Sequence, residues 1–68
     1  MLIPKSDEIK RRRLQSNLTK SQLSLKAGLP ANAICRIEGK KHAYVIPIRA
    51  KAIACALNCE IKDIFKEE

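Results

Sequence analysis

Three cysteines, one histidine and two clusters of cations are the side chains with chemistry to offer. Cys55 and Cys59 are four apart, a spacing that puts both on one face of a helix. With His42 they still lack a fourth ligand, and the paired-cysteine spacing of structural zinc sites is missing, so no metal is expected. Three cysteines without close pairs do not make a disulfide framework. They read as buried or half-buried free thiols, with a redox-sensing role for Cys35 as the alternative. The histidine has no cysteine or serine placed beside it by a motif, and no glycine-rich phosphate loop occurs. No enzyme and no cofactor are expected.

The cations point elsewhere. Lys10, Arg11, Arg12 and Arg13 run together, and Lys40 and Lys41 follow Gly39. The net charge of +7 on 68 residues, with a pI of about 9.7, speaks to partners and not to fold. Nucleic acid comes first, an anionic membrane surface second and an acidic protein third. No apolar run approaches the roughly 20 residues of a membrane span. Met1 to Pro4 is too short for the core of a signal peptide. A cytoplasmic protein is expected.

These cations need elements to hold them. A chain of 68 residues makes one domain and buries only about 60% of its unfolded surface. Its apolar share, 46%, suits a globular protein. Ala, Ile and Leu fill the apolar positions and favour closely packed helices. The first helix is expected from Ser6, as N-cap, to about Asn17, with Asp7 and Glu8 in its first turn and Ile9 and Leu14 packing. The second starts at Thr19, which with Gln22 has the spacing of a capping box. Its two turns would not be stable alone. Gly28 ends it in the left-handed conformation. The third begins around Pro30 or Ala31, turns Ile34 and Ile37 inward and ends at Gly39. The fourth runs from Pro47 to Leu57 with Ala50, Ile53, Ala54 and Leu57 as its apolar stripe, and Asn58 takes the left-handed position after it. A last helix covers about Ile61 to Lys66.

Two short helices joined by a tight glycine turn, over about residues 19–39, describe a helix-turn-helix. The major groove of B-DNA admits one such helix while the other crosses the backbone. The ordered set Leu18-Thr19, Leu23, Lys26-Ala27-Gly28-Leu29, Ile34, Arg36 to Lys40, Val45, Pro47, Ala50-Lys51, Ile53-Ala54, Ala56-Leu57 and Asp63-Ile64-Phe65 resembles the lambda-repressor/Cro-type (XRE-like) family from about Ile9 to Phe65. The resemblance implies an all-α, compact five-helix DNA-binding domain. It implies a sequence-specific transcriptional regulator, a repressor that binds a palindromic operator in double-stranded DNA as a homodimer. Dimerisation would use the last helix and its neighbours. Short family members come from phages, plasmids and conjugative elements, which implies a bacterial or phage-encoded regulator with no effector-binding domain.

Carried over by position, base contacts fall to Asn32 and Arg36, with Ala31 and Ala33 able to touch only a thymine methyl. Phosphate contacts fall to Lys20, Arg13, Lys40, Lys41 and His42. Lys20 stands where the family commonly has Gln. Arg13 matches the first-helix arginine that pairs with a glutamate late in the third helix, here Glu38. The chain departs from the pattern at Pro30, where Ser or Thr is common, at Ala31, where a long polar side chain is common, and at Arg12, where an apolar residue is usual. Leu14 is expected to compensate for Arg12.

Plainer readings stand beside these. Lys10 to Arg13 also fit a solvated helix face, and Lys40 and Lys41 fit a helix C-terminus, where cations are favoured anyway. Arg36 and Asn32 also fit ordinary exposed positions, and Tyr44 fits packing or a dimer contact. The alternative function is an antitoxin-like or adaptor module that binds a partner protein. Membrane binding through the first helix lacks the large apolar face insertion requires.

Overall fold

The computed structural model describes residues 2–39 and 44–67. Among them are five helices and one small sheet: β1 (Leu2–Pro4), α1 (Ser6–Gln15), α2 (Lys20–Lys26), α3 (Ala33–Glu38), α4 (Pro47–Ala56), α5 (Ile61–Ile64) and β2 (Phe65–Glu67). The chain is therefore mostly helical, as expected, with a two-stranded addition. β1 and β2 pair antiparallel, Leu2 opposite Glu67 and Pro4 opposite Phe65. Val45 bridges to Leu2 on the other side of β1.

Three helices end on the same device. After α1, α2 and α4 the chain places Asn17, Gly28 and Asn58 at φ 58°, 73° and 56°. In each case the next residue donates its N–H to the carbonyl five residues back: Leu18 to Arg13, Leu29 to Ser24, Cys59 to Ala54. This is the Schellman arrangement, which satisfies carbonyls that the helix leaves open. Leu18, Leu29 and Cys59 then pack against the core. A methyl group on Gly28 would meet nothing within 4 Å. Glycine is thus favoured there by φ and not by space.

The core joins Ile9 of α1, Leu23 of α2, and Ile34 and Ile37 of α3 to Ala50, Ile53 and Ala54 of α4, with Leu57, Ile64 and Phe65 beyond. The stripe expected on α4 is buried along its whole length. Burying each isoleucine, leucine or phenylalanine among them stabilises by about 1.5–3 kcal/mol.

Four expectations need correction. Ser6 is the first residue of α1 and not its cap; Lys5 holds the cap position. Its hydroxyl is turned inward and donates to the Ile37 carbonyl at 3.0 Å. The third helix starts at Ala33, later than Pro30 or Ala31, because residues 30–33 form a turn in which Ala33 donates to the Pro30 carbonyl. Leu14 is 54% exposed and compensates for nothing. The last helix stops at Ile64, where Phe65 turns to φ −132° and enters β2. Ile64 and Phe65 are spent on the chain's own core and leave little apolar surface there for a second copy.

Candidate nucleic-acid interface

α3 is six residues long and has no side-chain cap of its own. Two serines from other helices serve instead. At its start, the Ile34 N–H donates to Ser24 Oγ at 3.0 Å. Ser24 is fully buried, and its hydroxyl proton goes to the Lys20 carbonyl at 2.8 Å. At its end, Ser6 reaches the Ile37 carbonyl. A helix too short to persist alone is thus held at both ends by α1 and α2.

The Arg13–Glu38 pair completes the clamp. Arg13 Nε donates to Glu38 Oε2 at 2.7 Å and Nη2 to Oε1 at 3.2 Å. The two side chains are 7% and 4% exposed. Nη1 donates to the Leu18 carbonyl at 2.8 Å. One guanidinium therefore joins the end of α1, the turn before α2 and the end of α3, in the bidentate geometry arginine favours. The pairing that the family resemblance implied is present. The phosphate contact also expected of Arg13 does not fit this placement, because its donors face inward to Glu38 and Leu18.

The base-contact candidates lie on the outer side of the clamped helix. Ala31, Asn32 and Arg36 are exposed and Ala33 is half-buried. Asn32 sits at the cap position but makes no cap bond, so its amide is free of the helix start. Asn32, Ala33 and Arg36 line one groove of about 490 Å³ with Tyr44 and Arg49. Ala31 lies beside it. Lys20 is exposed in the first turn of α2, a turn with no acidic residue. Lys40, Lys41 and His42 lie outside the described residues.

Arg49 was not anticipated. Like Lys20, it is a cation in the first turn of a helix, where the dipole disfavours positive charge. That mismatch was the signal available in the sequence. A larger pattern was also available. Between Ile9 and Cys59 the one carboxylate is Glu38, and its side chain is buried. The other acidic residues are Asp7, Glu8, Glu60, Asp63, Glu67 and Glu68. The surface of α2, α3 and α4 therefore carries cations and no exposed carboxylate.

The remaining ionisable groups are quieter. The hydrogen bond from Arg11 lowers the Glu8 carboxyl below its usual range and raises Arg11 in turn. Burial pushes the Cys59 thiol up, against the opposing effect of Arg12. Cys35 and Cys55 are exposed, not buried as expected, and Cys59 is half-buried. Among the described residues no three metal-ligating side chains come together, and no helix is long and apolar enough to cross a membrane. No known protein family matches the chain, and no curated protein is similar to it.

Proposed function

We propose that this chain is a sequence-specific regulator of transcription that binds double-stranded DNA through a helix-turn-helix of the lambda-repressor/Cro type. α2 crosses the DNA backbone and α3 enters the major groove. One observation carries the reading: α3 is clamped at both ends by Ser24, Ser6 and Arg13, while Asn32 and Arg36 on its outer side stay unused on a surface without exposed carboxylates. A reading helix has to be rigid, presented and free of competing acids, and this one is all three. Asn32 suits a bidentate contact to adenine and Arg36 a bidentate contact to guanine. Lys20 and Arg49 neutralise phosphates on either side. A molecule of 29 × 21 × 20 Å covers one half-site. Two copies side by side fit half-sites spaced about 34–36 Å apart. Repression follows if that operator overlaps a promoter.

Selection of bound sequences from a random duplex pool at near-physiological salt tests the reading. An enriched palindrome is expected. A folded protein that enriches nothing rejects it. On the selected site, Arg36→Ala should cost about 1–3 kcal/mol of specific binding and little on random DNA. Lys20→Ala with Arg49→Ala should weaken all sequences alike and lower the salt slope by about 2. Equal losses of specific and random binding for Arg36→Ala would remove Arg36 from base readout.

A further inference from the structure

The C-terminal end of α4 borders a groove of about 480 Å³ that shares no residue with the groove beside α3. Cys55 and Cys59 both line it, and both are free thiols. Their spacing of four does not by itself bring them together, because the helix ends between them. Asn58, at φ 56°, turns the backbone there. Two hydrogen bonds then fix the turn: the Asn58 N–H donates to the Cys55 carbonyl at 3.1 Å, and the Cys59 N–H to the Ala54 carbonyl at 3.0 Å. Cys59 is thus folded back over the last turn of α4. The backbone holds both cysteines at one groove before anything binds.

We propose that Cys55 and Cys59 bind one soft monovalent cation, Cu(I), through their two sulfurs in this groove. The donor set selects the ion. Magnesium and calcium take oxygen ligands. A structural zinc site takes four ligands, and among the described residues no three come together. Thiolates favour Cu(I), which two sulfurs in line can satisfy. Each thiol releases its proton to solvent and each sulfur forms one bond to the ion. Nothing is oxidised or reduced in the step.

The surroundings fit the charge of such a complex. Two thiolates on a monovalent ion leave one net negative charge. Lys51, one turn before Cys55 on α4, lines the same groove and offsets it. Burial raises the Cys59 thiol, and the charge of Arg12 opposes that cost. Arg12 also has a donor to spend, since its Nε is buried with no hydrogen-bond partner among the described residues. Glu60 lines the groove as well, but its carboxylate is engaged: it caps the first turn of α5 and pairs with Lys62 at 3.2 Å. The sulfurs are therefore left as the ligands. The site stands apart from the DNA-binding reading, and neither depends on the other.

The test is titration of the full, reduced chain with Cu(I) under anaerobic conditions, in competition with a coloured Cu(I) chelator. One ion per chain is expected, and X-ray absorption should show a shell of two sulfurs. Two thiols on one fixed turn should hold the ion about a hundredfold more tightly than one. Cys55→Ser and Cys59→Ala should each lose that factor. Cys55 is exposed, so its variant leaves the fold intact even if Cys59→Ala, which removes a thiol packed against the core, does not. Circular dichroism checks both. Cys35→Ser, on α3, should bind like wild type. Zn(II) should be held far more weakly than Cu(I). Four results overturn the proposal: no Cu(I) retained against the chelator, Cys55→Ser that binds like wild type, equal loss in Cys35→Ser, or one ion shared by two chains.

Discussion

α3 and α4 are both held in the same small core, but by different means. α4 is fixed by an apolar stripe of Ala50, Ile53 and Ala54, with Leu57 just past its end, and no side chain of another element bonds its backbone among the described residues. α3 contributes only Ile34 and Ile37 to that core, and its remaining restraints are polar: Ser24, Ser6 and Arg13. Apolar packing is non-directional and rewards area. Hydrogen bonds reward direction. A helix that must only be present can rely on the first. A helix whose outer face must meet another molecule at a set angle needs the second.

The contrast can be broken from either side. The largest effect should come from Glu38→Ala, which leaves the Arg13 guanidinium buried and unpaired. We expect a loss of about 3–5 kcal/mol in urea unfolding. The double variant Arg13→Met with Glu38→Leu should be far milder in stability yet still impaired in DNA binding. If the double variant binds like wild type, the pair does not orient α3. Ile53→Ala should cost about 2–5 kcal/mol through the cavity it leaves in the apolar half. What remains folded should bind DNA normally, because no directional restraint is touched.

Ser24→Ala comes next. It removes the acceptor of the Ile34 N–H and should cost about 1–3 kcal/mol. Its DNA affinity should fall more than that of an equally destabilised Ile53 variant, when both are compared well below their melting points. Equal loss would merge the two classes of restraint into one. The smallest effect sharpens the turn between the helices. Gly28→Asn keeps the left-handed residue and meets open space. It should cost less than about 1 kcal/mol, and Gly28→Val several times more, in the same unfolding experiment.

Local signals carried most of the helical plan. The Thr19–Gln22 capping box forms with both bonds, at 2.8 and 3.0 Å. Gly28 and Asn58 take the left-handed conformation, and the α4 stripe is buried. Each depends on residues within a turn or two of one another. The Arg13–Glu38 contact spans 25 positions and came from family resemblance, not from spacing. What the sequence hid was tertiary. Ser6 looked like a local cap because serine is a good one, and the pull of the Ile37 carbonyl has no local trace. Ser24 looked unremarkable in a two-turn helix. The β1–β2 pairing joins two three-residue segments some 60 positions apart, each too short to show a period. Asn32, at the cap position before α3, and Arg36, on α3, are both exposed and line a groove with Arg49 and Tyr44.

The pairing of β1 with β2 has a topological consequence. Leu2 lies directly across from Glu67, so the path that leaves through five helices returns to its starting point. Such a loop is nearly closed already. A covalent crosslink between facing residues of the two strands would close that loop without moving a helix. It would remove much of the conformational freedom of the unfolded chain, and so raise the melting temperature.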